Sequence, residues 1–337
     1  MRKKWELGLA VGFGLTLLVV GGSVNGEPRN KSAENLISAE DAVNLAQLVS
    51  SSADGKALAA GVANSSIDFI LPTLGEKLPE YLKGLEIEVN FREDLKPEYA
   101  ILTVQPLWQS EGKDRTVFTQ LSQRRYSYLG TDRDVTNAGL GYRQAFLENS
   151  IMAGVNGFFD YEWKRGHKRA GVGAEVKWSG LDLTANTYYA ISNKSGRGLD
   201  GDAVEEVLDG HDIELSAQLP YLPWAKVHAR RYYWDSVANS EDVKGWSASL
   251  EADLQQNLKI EGGWNKDNFM AERESFVKLA FHIPFGAPRP VAMSSKFISD
   301  SAWEKRDMRD HMLDKVRREN KIIVERTSSG VVITRGN

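Results

Sequence analysis

The chain has 337 residues, a formal net charge of −4 spread over intermixed acidic and basic positions, and no cysteine. Disulfide scaffolds and thiolate metal sites are therefore excluded, and the lack of a basic block argues against a nucleic-acid partner. Mean hydropathy is −0.39 and only one long apolar run occurs, which excludes a helical membrane bundle but not a β-barrel, whose alternate residues face a polar lumen.

That apolar run is N-terminal. Arg2, Lys3 and Lys4 precede the stretch from Leu7 to Val20, and Gly21, Gly22, Ser23 and Gly26 follow it. It is shorter than the ~20 residues that a membrane-crossing helix needs. Residues 1–26 read as an export signal with cleavage after Gly26. Residues 27–84 form a second segment, with Leu36, Ala39, Ala42, Val43, Ala46 and Val49 at helical spacing. This predicts one or two short helices in the periplasm, followed by a Pro- and Gly-punctuated entry to strands.

From Leu85 to Phe285 the period becomes two. Ala170, Val172, Ala174, Val176 and Trp178 alternate with Gly171, Gly173, Glu175 and Lys177; Leu279, Phe281, Ile283 and Phe285 continue the same habit. Strands are predicted over 85–94, 99–109, 115–126, 134–146, 150–163, 168–179, 181–192, 211–219, 224–234, 243–254, 257–265 and 273–285. These are mostly of the ~9–12-residue length that suits a tilted bilayer-crossing strand. Connections alternate between short ones, such as Ser179-Gly180 and Pro220 to Pro223, and long ones, such as Asn193 to Gly210. Short periplasmic turns and longer external loops produce this parity. Tyr161, Trp163, Tyr189, Tyr233, Trp234 and Trp264 fall at one end of their strands and Trp178 at the other, as two interfacial girdles would.

A soluble sandwich or lipocalin-like barrel alternates equally well, because alternation does not say which face is outside. Export signal, strand number, loop parity and paired aromatic rims jointly favour a twelve-stranded antiparallel outer-membrane barrel spanning 85–285. Arg143, Glu175, Lys177, Glu214, Glu251, Asp253, Glu261 and Lys278 are then expected to face the lumen. Residues 286–337 form a tail. Ser299 to Asn320 is predicted helical, and its Lys305, Arg306, Arg309, Lys315, Arg317 and Arg318 are expected to pair with lumen charges and plug the pore. Ile322 to Val324 and Val331 to Thr334 are predicted extended.

Signals for catalysis are weak. Asp209-Gly210-His211-Asp212 puts a histidine beside carboxylates at the outer mouth, but a turn explains it better. His167, His228, His282 and His311 lack metal-ligand spacing, and Gly196 to Asp202 lacks a complete calcium-loop pattern. No enzyme, cofactor or metal is expected.

Asn156-Gly157-Phe158-Phe159-Asp160-Tyr161, then Arg165 to Arg169, with Gly171, Gly173 and Glu175, resembles the translocator barrel of the intimin/invasin family, the inverse autotransporters. Tyr188, Ile191-Ser192, Gly210 to Asp212, Leu219 to Pro223 and Asn320-Lys321-Ile322-Ile323-Val324-Glu325 extend the likeness over roughly residues 60–326. The resemblance implies an outer-membrane barrel whose tail returns through the pore as a linker, with Asn320, Ile322, Ile323, Val324 and Glu325 in it, toward an adhesive passenger. It also implies that Leu279, Phe281, Ile283 and Phe285 form the signal read by the barrel-assembly machinery, with periplasmic chaperones as further partners beside outer-membrane lipid. No immunoglobulin-like passenger follows within the sequence, so the expected cargo is missing or encoded separately. Loops that touch a host surface themselves, or a small-pore porin, are the alternative readings.

Overall fold

The computed structural model describes residues 84–92, 97–238, 241–255, 257–282, 293, 297–303, 305–328 and 331–333. The expected signal and N-terminal helices, and Ile283 and Phe285, lie outside these residues.

Among the described residues fifteen strands occur in chain order: β1 (Leu85–Arg92), β2 (Glu98–Gln109), β3 (Arg115–Tyr128), β4 (Thr131–Phe146), β5 (Ile151–Glu162), β6 (Lys168–Trp178), β7 (Leu181–Ala190), β8 (Val204–Val207), β9 (Gly210–Leu219), β10 (Leu222–Trp234), β11 (Val243–Gln255), β12 (Leu258–Asp267), β13 (Glu274–His282), β14 (Val324–Ser328) and β15 (Val331–Ile333). Twelve of them, all but β8, β14 and β15, form one closed antiparallel barrel. Closure is made where β1 meets β13, from Glu86 opposite His282 to Arg92 opposite Phe276. A closed barrel leaves no unpaired edge, which is what lets strands cross a bilayer. β8, β14 and β15 make a separate three-stranded sheet.

The twelve predicted strands match the twelve of the barrel in place; β8 has no counterpart among them. The hairpin β3–β4 is longer than predicted, because its turn is only Leu129-Gly130. Both residues have positive φ, +49° and +72°, the conformation of a two-residue turn matched to strand twist.

Which face is outside is now settled. In β6, Val172, Ala174 and Val176 are exposed whereas Glu175 and Lys177 are buried. Leu140 is 60% exposed while Arg143, two strand positions beyond the intervening Gly141, is 0% exposed. Apolar side chains dominate the outward face at mid-height, and most of the charged side chains there face in. Water would oppose that distribution at roughly 25 cal/mol per Å² of bare apolar surface; hydrocarbon favours it.

Inside, space is made by glycine. A Cβ on Gly141 would lie 2.3 Å from Cζ of Phe118. The Phe118 ring cannot swing aside: the Arg143 guanidinium sits 4.3 Å from its centroid, and Leu102, Val104, Phe158 and Val316 surround it. Gly141→Val is therefore expected to cost about 1–3 kcal/mol by overpacking. Heated-gel mobility checks this, the variant losing its compact band at a lower temperature than the parent.

The tail is not helical between Ser299 and Asn320 as predicted. It contains a single 3-10 turn, Met308–His311, with Asp307 capping it by accepting from the Arg309 amide; the rest is extended or irregular. The reason is tertiary. Barrel side chains satisfy the tail's backbone groups directly, which removes the advantage of an internal helical ladder.

Candidate functional site

The tail's course can be followed contact by contact. At the rim of short turns, Trp224 Nε1 donates to the Phe297 carbonyl at 2.8 Å, and Tyr221 exchanges backbone hydrogen bonds with Ser299 and Ala302 at 2.8 and 3.0 Å. Arg306 donates to the Ser179 carbonyl and to Asp182 at 2.7 Å. The Met308 amide donates to the Asn149 carbonyl at 2.8 Å.

The chain then enters the barrel. Arg143 donates to the carbonyls of Met312 and Asp314 at 2.9 and 2.6 Å, and Gln120 accepts from the Val316 amide at 2.8 Å. Asn186 donates to the Arg317 carbonyl, Arg169 to that of Glu319 and Asn137 to that of Asn320. Tyr188 Oη accepts from the Glu319 amide at 2.7 Å. These partners come from β3, β4, β6 and β7, so the tail leans on one wall of the lumen.

Charge locks the same stretch. Asp160, fully buried, faces Arg169 at 2.8 Å and Arg318 at 2.7 Å. Lys315 bridges Glu86 and Glu88. Arg317 reaches Glu214, Glu251 and Glu261. Glu319 meets Arg230 at 2.9 Å and Lys321 meets Glu98 at 2.8 Å. Buried charges survive in a protein only when paired and hydrogen-bonded. Each of the four buried apolar clusters also contains a tail residue: Ile322 and Val324, Ile323, Val316, or Met308 with Met312. The barrel's core is its own tail.

Polar cavities of about 170 and 100 Å³ remain beside the tail, both touched by His228, Lys315 and Arg317.

At the other rim, the rim of long connections, β14 pairs with β8 from Val324 opposite Val207 to Thr327 opposite Val204, and β15 pairs with β14. Beneath this sheet Glu205 is wholly buried and receives Arg133 at 2.7 Å, Arg326 at 2.7 Å and His167 at 3.2 Å. Burial alone would raise its pKa, but hydrogen bonds from His167 and Arg133, the Arg133 charge and Arg326 together hold it well below the usual carboxylate range. A depressed carboxyl pKa stabilises fully above the unfolded value and is lost as pH falls through the folded one. Hydrogen-exchange protection of residues 324–328 is therefore expected to be flat from neutral pH to about 4.5, the ordinary glutamate value, and to fall only under stronger acid. Loss of protection between pH 7 and 5 would contradict this.

A family model described as "Inverse autotransporter, beta-domain" matches residues 40–320. The chain belongs to this family. Among curated relatives, the inverse autotransporter adhesin YeeJ of Escherichia coli (strain K12) is 27% identical over 223 residues, 64% of this chain and 9% of that protein. Invasin of Yersinia enterocolitica is 28% identical over 155 residues, 45% of this chain and 18% of the relative. The match thus spans under a fifth of either relative's length. A solved structure from a study of in-meso crystallization of membrane proteins covers 72% of this chain and 99% of its own, with a TM-score of 0.57 and 20% identity, a likeness of fold. This inverse autotransporter β-domain is a barrel of the bacterial outer membrane.

Within it, the residues singled out from sequence lie as follows. Arg143 and Glu175 pair at 2.7 Å, and Lys177 meets Asp314 at 3.1 Å. Glu214, Glu251 and Glu261 share Arg317; Asp253 and Glu251 share Lys259; Lys278 meets Glu261 at 2.5 Å. Of the tail cations, Arg309 pairs within the tail, with Asp307. Tyr161 packs edge-on against Trp163 with centroids 4.9 Å apart, and both face outward with Trp178, Tyr189, Tyr233 and Trp264. Leu279 and Phe281 are half-buried on the outer face of β13, in step with Val277.

Trp234 is a correction. It is 0% exposed and points into the lumen against Tyr188, Leu208, Val243 and Ile323, not into a girdle. It shares strand parity with Tyr232, so only Tyr233 between them can face lipid. His211 and Asp212 likewise part company. His211 stacks on Tyr233 outside, 5.1 Å between centroids, while Asp212 accepts from Tyr188 inside at 2.8 Å; they cannot work as an acid–base pair.

Asn320 and Ile322 give carbonyls to Asn137 and Tyr126, and Glu325 accepts from the amides of Val237 and Ala238. Sequence reasoning missed Asp160, Arg169 and Arg133 as lumen groups and Glu205 as the outer lock. Asp160 could have been found, since it continues the inward parity of Asn156 and Phe158; Glu205 could not, because β8 becomes a strand only when β14 arrives.

Proposed function

We propose that the chain is the translocator and membrane anchor of an adhesin: it conducts a polypeptide from the periplasm through its own lumen and holds it at the cell surface. The tail is the last stretch to have crossed, arrested in place. Its non-helical backbone, whose carbonyls and amides bond to the wall alongside the ion pairs of its side chains, is what supports this reading. A lumen that grips main chain accepts any sequence in extended form, provided the hydrogen bonds are exchanged one by one. The ion pairs of Arg317, Arg318 and Glu319 then act as the stop. The passenger is either a continuation of the tail or an adhesin encoded separately; the names of YeeJ and invasin favour adhesion as its task.

A reporter epitope joined after Asn337 tests this. On intact cells the epitope is expected to bind antibody at the surface. An epitope reached only after the outer membrane is permeabilised would reduce the chain to a plain barrel.

A further inference from the structure

The lipid-facing side of the barrel is not chemically uniform along its height. On β9 to β13 the outward positions toward the short-turn rim are apolar: Leu215, Ala217, Val227, Ala229, Leu250, Val277 and Leu279 among them. Toward the rim from which the tail emerges, the same outward face carries cations. Arg231 lies opposite Trp246, which lies opposite Lys266; Lys244 lies opposite Tyr233. Arg273, in the adjoining loop, places its guanidinium 5.2 Å from the Trp264 ring centroid, and the Lys244 ammonium is 5.7 Å from that of Tyr233. None of the outward positions on these five strands is acidic. Carboxylates occur only in the flanking loops, at Asp235, Glu241, Asp242 and Glu272, and Asp242 is engaged by Tyr233.

The four cations are not equivalent. Lys266 is turned back onto the carbonyls of Met270 and Ala271. Lys244 and Arg273 rest on aromatic faces, an arrangement that fixes a cation without neutralising it. Arg231 is exposed and has neither a hydrogen bond nor an ion pair to any described residue. An unpaired guanidinium on a lipid-facing surface is costly in hydrocarbon. It belongs at a depth where an anion can meet its fork of donors, and the ligand best matched to that fork is phosphate.

We propose that the outer end of β10–β12 binds the phosphorylated head of an outer-leaflet glycolipid, with Arg231 as the phosphate ligand and Lys244 and Arg273 flanking it. The acyl chains would lie on Val227, Ala229 and Leu250 below, and the indoles of Trp246 and Trp264 would sit at the glycan boundary. Charge confined to one end of the strands matches a bilayer whose two leaflets differ in charge. It also explains why the described residues of β9 to β13 show no such row at the opposite rim.

The test uses the full-length protein in a non-ionic detergent, titrated with bis-phosphorylated lipid A and read by native mass spectrometry. The triple variant R231Q/K244Q/R273Q is expected to bind about a hundredfold more weakly, and R231Q alone about fivefold, from the usual worth of one basic residue at an anionic surface. K168Q, outward on β6 and three strands round the barrel from β10, should bind as the parent does. Heated-gel mobility reports folding of each, and R231Q carries the test should the triple variant not fold. Equal binding by parent and R231Q, or equal binding of dephosphorylated lipid A, would overturn the proposal. Displacement of the lipid by equimolar inorganic phosphate would overturn the lipid as ligand in favour of the free anion.

Discussion

A chain shortened to end at residue 285 is expected to conduct ions across a planar bilayer at a resolved open level, where the full chain stays near background. The lumen is occupied by residues 308–324, which supply a member to each of the four buried apolar clusters among the described residues, with cavities of about 170 and 100 Å³ beside them. Removing the tail bares Arg143, Asp160, Arg169, Glu214 and Glu261 to solvent. A lumen lined by charge fills with water and passes ions, and twelve strands enclose a wider bore than the eight that side chains alone can fill. Equal and large conductance with and without residues 286–337 would exclude the plug.

The second large effect is at Asp160. Its carboxylate is shared by Arg169 and Arg318 and also accepts from Asn137 at 2.7 Å. Asp160→Ala leaves two guanidiniums facing one another without a counter-charge inside the barrel. Breaking a buried pair from one side costs roughly 3–5 kcal/mol. The tail should give way first, because Arg169 sits in the paired ladder of β6 whereas Arg318 sits on a stretch with no such ladder; both keep ring contacts. Limited proteolysis of the intact protein should therefore cut within residues 305–328 in the variant before the barrel unfolds. Adding Arg318→Met should recover part of the loss, and a double-mutant cycle would measure the coupling. A tail equally resistant in parent and variant would show that this pair does not hold it.

Most of the barrel was legible in the sequence because strands carry a local signature. A two-residue period says where each strand runs, and a closed barrel of hairpins leaves little freedom in how they pair. The alternation of short turns with long loops fixed the two rims. What local pattern could not carry is what distant residues decide. The tail from Ser299 to Asn320 has helical composition, yet its carbonyls and amides are claimed by Arg143, Gln120, Asn137, Arg169 and Tyr188, more than a hundred positions away. Trp234 sits at a strand end, where girdles gather, but parity outranks position and turns it inward. Val204 to Val207 has no periodicity to read, being four residues long. The Leu129-Gly130 turn lacks the Asn-Gly or Asp-Gly signature of a two-residue hairpin, so the predicted strands stopped short of it.

The central claim, that the tail runs outward through the lumen, has a direct test because the chain contains no cysteine of its own. Single cysteines are placed at Ser328, on the outer sheet, and at Ser301, beside the short-turn rim. Intact cells are then treated with a maleimide carried on a polymer too large to pass the outer membrane. Ser328→Cys should be labelled from outside and Ser301→Cys only after permeabilisation. Labelling of Ser301→Cys alone on intact cells, or protection of Ser328→Cys with labelling restored by permeabilisation, would contradict the account.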